Sequence, residues 1–434
     1  MHKLLDKYIE WLVAIAVVYI TTLSMFRALL GTFELVSAVR LVSYSIVPLL
    51  GLIFVYQKRH YGIKIHDKFY YCFYLIYCLY ILLYITIFRR YPLEDMLAVP
   101  TSVVVYFYEF AVSIVYLICA PTIYHHFCLK KFMFLSLIVC TIPSILFVHF
   151  VGVDLIQAGI NEDDEEYIPT LTITYSNVPM FVLAVMNFKN LHKRAFLSKV
   201  IAMAIIIAVI YVFFAYAKRG PMLWSVVSIG LCFLIRTHHL KRSIALIFLA
   251  FVFLWINVDP ILSGISEVYP RTGRQLEKSI KEGNTSARMD FSDPKHSTYL
   301  IGIENFSRSP IWGYYFRLVT DFQHFKGVFA HNIFIEVLMT MGLLGFMPFM
   351  LLMFRAFLKS RNVFTKTYTV KQMSFFILFL CVFLQLQTSA SIVFRHNFWL
   401  FFYMLCCIDV IDKIKEKIPV RYSQTRSLPL KQTT

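Results

Sequence analysis

Three short motifs carry side chains able to work on a charged substrate. Lys218-Arg219-Gly220-Pro221 sets an arginine between two long apolar runs. A guanidinium offers a rigid fork of donors that matches phosphate oxygens, and it does not lose its charge by deprotonation. Arg219 reads as an anion clamp, or as an arginine that snorkels, because an unpartnered charge at membrane depth is costly. Thr285-Ser286-Ala287-Arg288 supplies a second arginine. Taken alone, Arg288 is equally a solvated loop residue, as are Arg271, Arg274, Arg308 and Arg317. Ala330-His331-Asn332-Ile333-Phe334-Ile335-Glu336 opens a further apolar run. His331 is either an interfacial, helix-starting residue or a general base, for which an unperturbed pKa of about 6.5 suits it.

Other chemistries find no support in the chain. It has no P-loop and no glycine-rich dinucleotide motif. Asp163 and Asp164 are adjacent rather than spaced as a metal pair, and the run Glu162 to Glu166 reads as a solvated loop. None of the nine cysteines falls in segment 258–330, and the one adjacent pair, Cys406 and Cys407, lies on a helix. Without CxxC pairs or His/Cys clusters at ligand spacing, they read as packing residues. No metal and no cofactor is expected.

The elements that must position these groups follow from composition. Of 434 residues, 59% are hydrophobic and 15% charged, against about 25% charged in soluble domains. With a mean hydropathy of +0.67, so few charges cover a surface only if lipid covers most of it. The expected fold is an all-α polytopic membrane protein with about twelve spans. They run near 8–26, 36–56, 69–88, 98–123, 132–150, 169–187, 197–217, 221–235, 242–257, 332–354, 372–391 and 396–411. The first reads as a retained span rather than a cleaved signal.

The net charge of +17 would suit nucleic acid, but its distribution argues otherwise. One alternating set of loops, with both termini, carries 26 Lys and Arg; the short loops of the other set carry 7. Basic residues accumulate on cytoplasmic loops. The expectation is therefore cytoplasmic termini, an outward-facing segment 258–330, and no nucleic-acid partner. Trp224, Trp255 and Trp399 fall near expected outer ends, as an aromatic belt would.

The layout divides into spans one to nine (1–257), the outer loop 258–330 with short helices, spans ten to twelve (331–411), and a basic tail (412–434). Thr298–Arg308 reads as a helix with Tyr299, Leu300, Ile303 and Phe306 on one face. A long ordered loop on one side suggests a catalytic cap, and no internal symmetry of the transporter kind is visible.

At this point the motifs resemble a family. His331-Asn332 opening a helix that runs to Gly342-Leu343-Leu344-Gly345 is similar to the signature of the O-antigen polymerase and O-antigen ligase superfamily. So is Ser309-Pro310-Ile311-Trp312-Gly313-Tyr314, which resembles the family's Pro-x-x-Gly-aromatic stretch. Arg219-Gly220 resembles its Arg-Gly turn, and Ser286-Ala287-Arg288 its loop arginine. Arg288 stands farther from Pro310 than the family pattern suggests, so Arg271 or Arg274 could hold that role instead.

The resemblance implies a C-type glycosyltransferase fold in the bacterial inner membrane, working at the periplasmic face. It implies a donor glycan on undecaprenyl pyrophosphate and a glycan acceptor, without nucleotide sugar or metal. On that reading an acceptor hydroxyl attacks the anomeric carbon. His331 takes the proton, and Arg219 with Arg288 holds the departing pyrophosphate. Asn332, Arg271, Arg274, Arg89, Arg90 and Arg395 are further candidates for substrate contact. The expected activity is polymerisation of repeat units, with transfer to lipid A core by a ligase as the alternative. A chain-length regulator is an implied partner. A flippase is the reading from another class; it would need charges lining a path through the spans, and Arg40 and Glu109 are the few present.

Overall fold

The computed structural model describes residues 2–32, 36–60, 67–87, 103–152, 170–188, 196–216, 218–236, 258–270, 272–274, 277, 298–313, 332–360, 369–387 and 397–406. Among these the chain is helical, with no strand. The helices are α1 (His2–Thr32), α2 (Val36–His60), α3 (Lys68–Ile87), α4 (Val103–His126), α5 (Leu129–Val151), α6 (Thr170–Asn187) and α7 (Phe196–Ala215). They continue as α8 (Arg219–Arg236), α9 (Val258–Val268), α10 (Thr298–Arg308), α11 (Ile333–Lys359), α12 (Val370–Gln385) and α13 (Asn397–Cys406).

Among the described residues, four helices are long and apolar enough to cross a membrane: Asp6–Arg27 of α1, α5, α7 and α11. Shorter apolar helices are Ala111–His126, Leu171–Asn187, Gly220–Ile235, Val370–Gln385 and Asn397–Cys406. The expected span near 242–257, the acidic run 162–166, Trp255 and the tail 412–434 lie outside the described residues. So do the side chains of Arg40 and Glu109.

One end of the bundle is tied by charge. Arg355 pairs with the buried Asp67 carboxylate at 2.6 Å, and Lys131 with Glu10 at 2.7 Å. Tyr56 donates to Asp6, and Lys371 donates to the His125 carbonyl. These contacts gather the starts of α1, α3, α5 and α12 with the ends of α2, α4 and α11. Toward the opposite end, Asn177 donates to the Ser144 hydroxyl at 2.8 Å and Tyr216 donates to the Ser144 carbonyl at 3.1 Å. Since α11 ends and α12 starts at the charged end, α11 begins and α12 ends at the other. Arg219 and Asn332 thus open helices at the same end.

Between the ends, polar side chains and aromatic rings hold the helices together. Lipid tails are as apolar as leucine, so packing and interhelical hydrogen bonds, not hydrophobic transfer, select the arrangement. Gln57 donates to the Ile118 carbonyl at 2.6 Å and accepts from Thr122 at 2.9 Å, joining α2 to α4. The Tyr70 hydroxyl donates to the Trp399 carbonyl at 2.6 Å. Trp399 corrects the expectation of a belt residue. It is buried among Tyr74, Tyr77 and Phe398, at centroid distances of 5.1, 4.9 and 5.4 Å. The Tyr74 and Phe398 pairs are edge-to-face and the Tyr77 pair is tilted; aromatic pairs of this kind are worth about 0.5–1.5 kcal/mol each beyond area.

The cysteines behave as packing residues in part. All eight that are described are free; six are buried, Cys72 is exposed and Cys128 is half-buried. Helix α10 has the expected bounds, but its inward face is turned. Ile301 and Asn305 are buried, Tyr299, Leu300 and Phe306 are half-buried, and Ile303 is 47% exposed. Asn305 donates to the Met339 sulfur of α11 at 3.6 Å, and Ile301, one turn before it, shares that buried face, which carries the register away from Ile303.

Candidate functional site

The chain reverses between α7 and α8 in a few residues. Tyr216 still bonds back to the Val212 carbonyl at 3.0 Å, and α8 begins at Arg219. Pro221 stands in the first turn, where a missing N–H is no loss. Gly220 sits against a phenol: a Cβ there would lie 2.5 Å from the Tyr175 hydroxyl of α6, so that side chain would have to shift. Tyr175 itself is buried, so the backbone beside Arg219 is pressed against a buried phenol.

The segment after α9 docks onto this reversal. Thr272 donates to the Phe214 carbonyl at 2.7 Å, and the Tyr269 ring stacks on Phe214 at 5.9 Å. Gly273 allows the return, because a Cβ there would fall 2.7 Å from the Ser266 Cα. Arg274 is exposed, its Nε donating to the Pro270 carbonyl at 3.3 Å. The described residues beside Arg274 are thereby tied to the end of α7.

At the start of α11 the sequence supplies a side-chain cap. The Asn332 Oδ1 accepts from the backbone of Phe334 at 3.0 Å and Ile335 at 3.2 Å. The Ile333 N–H donates to the Leu386 carbonyl at 3.0 Å, and Glu336 N–H to the Asn332 carbonyl at 2.8 Å. Three of the donors that a helix start leaves, those of Ile333, Phe334 and Ile335, are therefore taken, and the Glu336 bond is the first of the helix itself. The Asn332 Nδ2 donates to the Gln387 Oε1 at 3.1 Å, and the Tyr299 hydroxyl donates to the Gln387 carbonyl at 2.7 Å. Burial pushes the Tyr299 phenol above its usual range, against the opposing pull of its hydrogen bond with Asn332, so it serves as a neutral donor. Three segments thus converge on the residue next to His331.

Ten residues into α11 the helix breaks. Gly342 has φ 60° and ψ −164°, a conformation open essentially to glycine alone. The break frees the N–H groups of Leu343 and Leu344, and both are taken by the turn after α10. They donate to the carbonyls of Pro310 at 2.9 Å and Ile311 at 3.2 Å. Gly313, at φ 76°, lies so close that a Cβ would sit 2.3 Å from the Gly342 nitrogen. The Pro-x-x-Gly stretch and the Met-Gly-Leu-Leu-Gly stretch are two halves of one interlock.

The sequence-based candidates divide accordingly. Asn332 and Arg274 are placed as above. Arg219 is placed by its backbone at the start of α8. His331, Arg288, Arg271, Arg89, Arg90 and Arg395 lie outside the described residues. Gln387 and Tyr175 were not foreseen, since each ends or lies inside an apolar run where no motif marks it; Tyr299 was expected only as part of an apolar helix face. Glu336, quoted only as part of a motif, is buried in the first turn of α11, where the helix dipole favours a carboxylate. Among the described residues no cluster of His, Cys, Asp and Glu could hold a metal. No protein-family model matches the chain, and no curated protein matches it.

Proposed function

We propose that this chain is a glycosyltransferase of the bacterial inner membrane that joins undecaprenyl-pyrophosphate-linked repeat units at the periplasmic face. In this reading it has about twelve spans, both termini in the cytoplasm and 258–330 outside. The observation that carries it is the interlock of Gly313 with Gly342. Two stretches quoted for their resemblance to O-antigen polymerases and ligases, far apart in sequence, meet through backbone alone. Arg219 and Asn332 opening helices at one end of the bundle further supports it.

The chemistry needs an acceptor, a leaving group and two kinds of side chain. A sugar hydroxyl of the acceptor gives its proton to His331 as its oxygen bonds to the donor's anomeric carbon. The bond from that carbon to the pyrophosphate oxygen breaks, and the lipid pyrophosphate leaves with the electron pair. Arg219, with Arg288 or one of Arg271 and Arg274, holds the charge that grows on it. A preorganised donor of this kind is worth about 100- to 1000-fold in rate. The helix caps on Asn332 hold the backbone beside the base.

Chromosomal replacement by His331→Ala tests the reading in cells. Polymerase function predicts surface lipid carrying a single repeat in place of a polysaccharide ladder. Ligase function would instead leave full-length glycan on the lipid carrier and none on lipid A core. An unaltered ladder would overturn both.

A further inference from the structure

Helix α11 runs from Ile333 to Lys359 with its break at Gly342; the part from Gly342 to Lys359 alone rises about 25 Å at 1.5 Å per residue, most of a hydrocarbon layer of about 30 Å. Its inner end is fixed by the Arg355–Asp67 pair. Counting outward from Arg355, Gly342 stands about 20 Å up the helix, inside such a layer. The exposed residues of this stretch are apolar: Leu343, Leu344, Met347, Leu351, Phe354 and Leu358. They form the lipid-facing row of a spanning helix.

The turn Ser309–Gly313 is locked to α11 at the height of Gly342. Its Ile311 and Trp312 side chains are 55% and 58% exposed and prolong that row. Backbone that is not helical persists at membrane depth only where its polar groups find partners in the protein. Five backbone groups of this turn have such partners. Ser309 N–H donates to the Phe306 carbonyl, Gly313 N–H to the Ser309 carbonyl, and the Pro310 and Ile311 carbonyls accept from α11. The charged pair Glu304–Arg308 stands just before the turn, on α10, where an arginine can snorkel to the headgroups.

We infer that Ser309–Gly313 is a re-entrant turn sunk in the leaflet nearest the Asn332 end, with Ile311 and Trp312 packed against lipid acyl chains. The turn's own exposed side chains, Ile311 and Trp312, are apolar and continue the lipid-facing row of α11, while the neighbouring charges of Glu304 and Arg308 are paired with each other, which fits hydrocarbon rather than water or a soluble partner. It does not depend on the reaction proposed above.

Fluorescence of Trp312 tests this in the full chain. The protein is placed in phosphatidylcholine vesicles whose acyl chains are brominated near the glycerol end. The difference between wild type and Trp312→Phe isolates one tryptophan of five. The expected difference emission is blue-shifted, falls severalfold on brominated lipid, and is nearly untouched by iodide in the water. Emission quenched by iodide and unchanged on brominated lipid would overturn the inference. If Trp312→Phe does not fold, Ile311→Trp adds a reporter at the neighbouring position, and the same two patterns decide.

Discussion

Replacing Arg219 with alanine removes a fork of donors and leaves the described contacts of the reversal in place. The contacts there belong to neighbours: Gly220 against Tyr175, Tyr216 on Ser144, and Thr272 on Phe214. Arg219→Ala is therefore expected to express and melt as wild type, yet lose about 100- to 1000-fold in transfer rate. Arg219→Lys keeps the charge and loses the bidentate geometry, so it should remain impaired. Single-turnover product formation, set beside a melting curve, checks both. Gln387 makes a contrasting case. Its side chain links Asn332 to the Phe383 carbonyl. Gln387→Leu should lower the melting temperature as well as the rate, because a cap bond at the start of α11 goes with it.

At the scale of elements, the interlock of α11 with the turn after α10 makes a sharper demand. A Cβ at Gly313 would meet the backbone of Thr340, Met341 and Gly342, and one at Gly342 would meet that of Ile311 and Gly313. Backbone cannot step aside as a side chain can, and both glycines have positive φ. Either alanine variant should cost roughly 1–3 kcal/mol from strained φ alone, with the clash added. Gly51 in α2 has open space around it. Gly51→Ala should instead be neutral or stabilise by about 0.5–1 kcal/mol, as in a helix interior. Thermal unfolding in one lipid system compares the three. The sequence made these glycines visible as parts of two motifs but did not reveal that they touch. Close backbone contact leaves no periodicity, and the broken helix reads as one apolar run. The register of α10 failed for a related reason: hydrophobicity alone favours Ile303, and only contact with α11 selects Ile301 and Asn305.

The whole molecule is organised by which end of the bundle carries its charges. The Asp67 carboxylate is 2% exposed and Arg355 36% exposed, in a two-bond pairing. Removing Arg355 leaves a buried carboxylate, so Arg355→Ala should cost about 3 kcal/mol or more. Asp67→Asn keeps an oxygen able to accept from the Tyr70 N–H, as Asp67 does at 3.0 Å. It leaves an arginine that reaches water, so the loss should be clearly smaller. Chemical unfolding of the two variants and their combination gives the asymmetry. Helical character and the positions of the apolar helices were legible because composition and run length decide them. The burial of Trp399 was not, since its neighbours lie on α3, more than 300 residues away. Its place near the start of an apolar run looked like a membrane surface. Arg219 and His331 could be singled out by type and motif. The network of Gln387, Asn332 and Tyr299 could not, because it joins three segments through single bonds.

The central claim is that the chain transfers a glycan from a lipid pyrophosphate. The most direct measurement reconstitutes the purified protein in nanodiscs with one undecaprenyl-pyrophosphate oligosaccharide and no other acceptor. The predicted result is a ladder of longer lipid-linked glycans, absent with Arg219→Ala. An unchanged oligosaccharide, with or without added lipid A core, would contradict the account.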